Sequence, residues 1–333
     1  MKKRIITGIV LAMLCVPAVY FGGLYFLAFG LLVTVHASYE MMNMFTKKYP
    51  TISFLKWLVP VMCVFIVVVI YLSATRGLDA SEFGIIIGKG GYDVIDGSVD
   101  MDIVRKKMLF HFWVLTTYIV CILICFALTI FKKGSSAEDM MASATTLTYC
   151  GLVLGVGICV EYIQPITYIS WLPSEKFGGR SFIYIFSICI ISDVVAYFFG
   201  SKFGKTKLCP EISPNKTVEG ALAGLIVSST IGTLIAIIPQ RYTLFNVLSI
   251  GPIHLKIFAI FLVFAFSFLI GIASILGDLI ASKFKRSFGI KDFGTLLPGH
   301  GGVLDRFDSL IFASATYYAI IQIVQLIILG VAI

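Results

Sequence analysis

The chain has 333 residues, of which 59% are hydrophobic and 13% charged, with a net charge of +8. Soluble domains carry about 25% charged residues, so this composition, with a mean hydropathy of +0.98, excludes a soluble globular fold and points to an all-α polytopic membrane protein. The positive charges flank apolar runs and no soluble domain is left to carry a groove, which excludes nucleic acid as a partner and favours anionic membrane lipids or an anionic substrate.

A crossing helix needs about 20 apolar residues. About nine such runs follow in chain order, at 5–22, 24–43, 54–73, 108–131, 146–170, 181–200, 218–240, 256–280 and 309–330. The basic start Met1-Lys2-Lys3-Arg4 before an apolar stretch has the form of a signal peptide, but no small-residue cleavage site follows and Leu14 precedes Cys15. A retained first helix is therefore expected. Glu40 in the second run and Glu161 in the fifth place charge where pairing or a polar cavity is required; neither shows a partner in the sequence, and neither is assigned a role.

Between the third and fourth runs lies a 74–107 loop rich in charge, expected on the exoplasmic face. Its Gly88-Lys89-Gly90-Gly91 lacks the spacing of a phosphate-binding loop. Lys and Arg favour the cytoplasmic side, and an N-terminus inside places 17 of the 26 Lys and Arg there. Arg105-Lys106-Lys107 then sits against a span on the opposite side. The eight cysteines form no CxxC pair, and seven fall in apolar runs, so they read as small membrane-buried hydrophobes. His36, His111 and His254 have no ligand-spaced partner.

The organisation divides at about 145. Residues 1–145 carry apolar helices and no defensible motif, whereas 146–333 carry two polar loops, 201–217 and 282–308, expected on the cytoplasmic side. Asp193 in IISDVVAYFFG is an intramembrane acid, for which an ion or substrate pathway or an interhelical hydrogen bond would account. In the loop after it, Lys202, Lys205, Lys207 and Lys216 are cations, Ser213 and Thr217 offer hydroxyls, and Thr217 is placed to cap a helix starting at Val218. A helix N-terminus beside Lys216 and Glu219 is a natural seat for phosphate.

Asp278 in ILGDLIASKFKR is the second buried carboxylate. Beyond it, Ser282 to Asp308 (SKFKRSFGIKDFGTLLPGHGGVLDRFD) gathers Lys283, Lys285, Arg286, Lys291 and Arg306 with Asp292, Asp305 and Asp308 around Pro298-Gly299-His300-Gly301-Gly302. Cations, carboxylates and bare backbone together suit a metal-bound phosphate. Gly301 and Gly302 would let amides approach an anion, Lys285, Arg286 and Arg306 would neutralise charge during phosphoryl transfer, and His300 would position more than deprotonate. Hard cations such as Mg²⁺ prefer carboxylate and phosphate oxygen.

The pattern S-x-F-K-R-x4-K-D-x-G-x5-H-G-G-x2-D-R-x-D over Ser282–Asp308 resembles the signature of the phosphatidate cytidylyltransferases, or CDP-diacylglycerol synthases. D-x2-A-Y-F-x-G-x2-F-G-K from Asp193 to Lys205 and I-S-P-N-K-T-V-E-G from Ile212 to Gly220 are similar to that family's other characteristic region. The resemblance implies a multi-pass enzyme of the cytoplasmic membrane that joins CTP and phosphatidate with Mg²⁺, with a second cation allowed. It implies that Asp278 and Asp305 hold the metal, that Lys and Arg of the signature contact phosphates, and that Asp193 lines a cavity open to lipid. One departure is Ala281, where that family commonly shows Glu. A CTP-dependent enzyme acting on another lipid, such as a polyprenol kinase or an isoprenoid-glycerol-phosphate cytidylyltransferase, and an ion-coupled secondary transporter are the alternative readings. Two chains could enclose the polar faces, so a homodimer is a further expectation.

Overall fold

The computed structural model describes residues 2–75, 101–162, 177–237, 252–299 and 301–331. They form two compact units: one from residues 2–75, 101–162, 284–299 and 301–308, the other from 177–237, 252–283 and 309–331.

The first unit begins with α1 (Lys2–Phe21) and α2 (Gly23–Lys48). The chain turns between them on Gly22 and Gly23, whose φ values of 61° and 51° suit residues without a Cβ. Lys47 and Lys48 close α2, where positive charge complements the helix dipole. A short turn at Pro50–Leu55 leads to α3 (Leu58–Thr75), followed by α4 (Met101–Phe131). A capping box then starts α5 (Ala137–Thr146), which continues through a wide turn at Leu147–Val153, α6 (Leu154–Ile158) and a tight turn at Cys159–Tyr162. Asp139, fully buried, accepts from the Ser136 N–H at 3.0 Å and from the Thr51 hydroxyl at 2.7 Å, tying α5 to the turn after α2. Met41, Met42, Ile66, Ile70, Leu147 and Cys150 form the core of this unit.

The second unit is built from α7 (Phe177–Phe203), a hairpin of β1 (Lys207–Cys209) and β2 (Ser213–Thr217), α8 (Val218–Ile237), and all of α9 (Ile253–Ser287) and α10 (Leu304–Val331) except residues 284–287 and 304–308, which belong to the first unit. The strands are antiparallel, with Lys207 opposite Thr217 and Cys209 opposite Ser213, and a register shift between these pairs. Helices α7 and α8 approach closely because small residues line their contact: a Cβ at Gly224 would lie 2.6 Å from the Ser192 carbonyl oxygen. Backbone cannot yield as a side chain can, so Gly224→Leu should cost about 1–3 kcal/mol. Thermal unfolding in detergent would test this, and an unchanged midpoint would refute it.

Among the described residues seven helices are long and apolar enough to cross a membrane, and Leu58–Ala74 is a shorter apolar helix. The protein is therefore an all-α, multi-pass membrane protein, and the described residues do not confirm the count of nine crossings. Several boundaries also differ from those expected. Helix α4 begins at Met101, so Arg105-Lys106-Lys107 belong to it and not to a loop; residues 76–100 lie outside the described residues. Helix α5 starts at Ala137, not 146, because its capping box lies in a polar stretch that hydropathy passes over. Helix α9 runs on to Ser287 and α10 starts at Leu304, which shortens the second polar loop from both ends. All eight cysteines are free.

Candidate functional site

The polar side chains singled out in the sequence gather in two clusters, one in each unit. In the second unit, β2 presents Lys216 to Asp278 of α9, and the two form an ion pair with side chains 27% and 26% exposed. Asp193, exposed on α7, lies close enough to both to interact electrostatically. Helix α7 runs to Phe203, so at 1.5 Å per residue Asp193 sits about 15 Å along the axis from its end. The Ser282 hydroxyl, one turn beyond Asp278, reaches Asp278 Oδ1 at 3.4 Å.

The neighbouring residues hold this arrangement in place. Thr217 Oγ1 accepts from the Gly220 N–H at 3.2 Å and caps α8, as its position before Val218 implies. Both oxygens of Glu219 turn back toward the chain, accepting from the N–H groups of Lys205 and Thr206 at 3.1 Å. The Val218 N–H donates to the Thr206 carbonyl at 2.9 Å. Thr217 and Glu219 thus fix the path of the hairpin that carries Lys216. Ser213, half-buried, pairs with Cys209 at the other end of that hairpin, and the Lys205 side chain is exposed.

In the first unit, the last turn of α9 supplies Lys285, which is buried and donates to Asp305 Oδ1 at 2.8 Å. Asp305 Oδ2 accepts from the N–H groups of Phe293 at 2.8 Å and Gly302 at 2.9 Å. The Lys285 ammonium also lies 5.4 Å from the centre of the Phe293 ring. The helix ends here through Gly289, whose φ of 66° allows the Ile290 N–H to reach the Lys285 carbonyl at 2.9 Å. Arg286, Lys291, Asp292 and Arg306 are exposed around this core, while Asp308 is buried. The Leu297 N–H donates to the Gly301 carbonyl at 3.0 Å. His300 lies outside the described residues.

Gly302, expected to offer its amide to a bound anion, donates to Asp305. Its neighbours Val303 and Leu304 donate to Oε1 and Oε2 of Glu40, each at 3.0 Å. Glu40 is the residue that motif reading left without a role. Its signal in the sequence was the cost of an acid in an apolar run, but the partner lies more than 260 residues away.

The donor set of the second unit fits a hard divalent cation. Asp278 is about a quarter exposed and Asp193 lies within electrostatic reach of it, and such a cation is commonly held by one or two carboxylates with phosphate oxygens and water completing its shell. Among the described residues no group of three His, Cys, Asp or Glu gathers at one point. A carboxylate offers about four acceptor positions, so the three donors on Asp305 leave room for one further bond. Ala281, where a Glu was expected, is fully buried. Cations beside carboxylates at the ends of apolar helices can seat phosphate groups and hold their counter-ion.

The profile of the cytidylyltransferase family matches residues 2–88 and 98–324. A phosphatidate cytidylyltransferase of Staphylococcus saprophyticus is 30% identical over 312 residues, 94% of this chain and 95% of that protein. One of Bacillus subtilis is 29% identical over 326 residues, 97% of this chain and 98% of that protein. One of Helicobacter pylori is 39% identical over 152 residues, 46% of this chain and 51% of that protein. With a match running nearly end to end and polar clusters suited to phosphate, this chain belongs to the cytidylyltransferase family.

Proposed function

We infer that the protein is a phosphatidate cytidylyltransferase, joining CTP and phosphatidate to give CDP-diacylglycerol and pyrophosphate. The observation that carries this reading is similarity to proteins of that name over nearly the whole chain. The two polar clusters, built from residues of the signature stretches together with Asp278, support it.

In the proposed reaction a phosphate oxygen of phosphatidate attacks the α-phosphorus of CTP. The new P–O bond forms as the bond from the α-phosphorus to the bridging oxygen breaks, and pyrophosphate leaves with that electron pair. Phosphatidate is anionic at neutral pH, so no general base is required. The protein's work is positioning and charge neutralisation. Lys216 and the exposed Lys205, Arg286, Lys291 and Arg306 would bind phosphate oxygens, while Thr217 and Glu219 hold the hairpin that aims Lys216. Mg²⁺ would be held through Asp278, with Asp193 within electrostatic reach of it, and when bound it would offset the charge of the triphosphate.

The excess of Lys and Arg on one side of the apolar runs supports a cytoplasmic N-terminus and a site facing the cytoplasm, in the cytoplasmic membrane. CTP would reach such a site from water and phosphatidate sideways from the inner leaflet.

Pyrophosphate release from CTP by purified protein tests the reading. Release should require both phosphatidate and Mg²⁺, stop with EDTA, and yield a CDP-lipid. Turnover with a different lipid phosphate but not phosphatidate would overturn the substrate assignment.

A further inference from the structure

We propose that Glu40 is a positioning residue for this reaction, acting as a built-in anion that occupies the start of α10 and sets the glycine-rich turn leading to Asp305. The inference rests on the cytidylyltransferase reading for its consequence in turnover, and on geometry within the first unit for the contact.

Glu40 is buried on α2, and its two oxygens accept one hydrogen bond each from Val303 N–H and Leu304 N–H. These amides open α10, so the carboxylate sits where the helix dipole favours negative charge. The next residue, Asp305, receives the Gly302 and Phe293 amides and the Lys285 ammonium. Amides 302, 303 and 304 are therefore all satisfied by protein carboxylates, and the turn is organised around Glu40 as much as around substrate.

Two signature glycines acquire a reason from this contact. A Cβ on Gly294 would collide with Glu40 Oε1, and one on Gly302 would collide with Oε2. Neither glycine has a positive φ, unlike Gly299 and Gly301, so backbone conformation does not demand glycine there. The space belongs to the Glu40 carboxylate. A glutamine at position 40 keeps the size but turns an N–H₂ group toward one of two backbone donors, leaving that amide unpaired.

The test uses the full-length protein with Glu40→Gln, Gly302→Ala and the double variant Glu40→Asp/Gly302→Ala. Glu40→Gln should lower kcat about 100-fold, the order reached when reacting groups shift by about an ångström, while KM for CTP stays within about threefold. Gly302→Ala should be similarly impaired. Shortening Glu40 to Asp makes room for the methyl group, so the double variant should regain about tenfold over Gly302→Ala alone. Hydrogen exchange at amides 303 and 304 should quicken in Glu40→Gln, with the rest of α2 and α10 protected as before.

An unchanged kcat in Glu40→Gln, or a double variant no better than Gly302→Ala, would overturn the proposal. Tighter binding of CTP or pyrophosphate by Glu40→Gln would also overturn it, by showing that Glu40 competes with substrate for those amides. Failure of the wild-type protein to use CTP would count against the functional reading, while the exchange measurement would still decide the contact.

Discussion

Asp278→Asn should lower turnover by about 1,000-fold or more in folded protein, the scale on which removal of one electrostatic partner acts in a phosphoryl or acyl transfer site. Asparagine keeps the shape of the side chain and removes only the charge that faces Lys216 and would bind the cation. The same change should barely move stability. An ion pair whose two side chains remain about a quarter exposed is screened, and such pairs contribute about 0–1 kcal/mol. This contrast separates a chemical role from a structural one. Pyrophosphate release, measured beside the thermal midpoint, should show a large loss in the first and a small shift in the second. Near-normal turnover in a folded Asp278→Asn protein would remove Asp278 from the site, and a collapse of stability would recast it as a structural residue.

Asp305→Asn should fail in both respects. Asp305 and Lys285 have side chains only 3% and 10% exposed, so removing the carboxylate charge leaves a buried ammonium without its partner. Breaking one half of a buried pair costs about 3–5 kcal/mol. Asparagine also replaces one acceptor oxygen with a donor, although three donors converge on that carboxylate. Replacing the lysine as well, in Lys285→Met/Asp305→Asn, removes the stranded charge and should recover much of the lost stability. It should not recover turnover, because the turn has lost its cation and one of its two acceptor oxygens. Thermal unfolding of the single and double variants, with turnover corrected for the folded fraction, checks both statements. A stable and active Asp305→Asn protein would show that neither the ion pair nor the carboxylate is needed.

Much of this protein is legible from local chemistry. Apolar runs of crossing length predict helices, and helices occupy the described part of each run. Thr217 before Val218 reads as a cap and is one. The signature stretches at 193–220 and 282–308 read as phosphate-suited, and with Asp278 just before the second of them their residues build both clusters. Boundaries were less legible where polar residues belong to helices. Residues 101–107 and 137–145 are too polar for a hydropathy window, and 282–287 continues α9 through a run of lysine, arginine and serine. Helical hydrogen bonding does not depend on hydropathy, so a helix can outlast its apolar segment at either end.

Hydropathy, helix length and the spacing of charged and glycine residues are properties of neighbours in the chain, so the sequence by itself determined the membrane character, the helical class and the family. Which carboxylate answers which cation was a different matter. Lys216 reaches Asp278 and Glu40 reaches two amides at the start of α10, each across a separation that no period or motif encodes, while the motif that holds both Lys285 and Asp305 does not by itself say that they pair. Only the tertiary structure decided these pairings, because a buried charge selects its partner by distance and desolvation, and both are set when distant segments pack together.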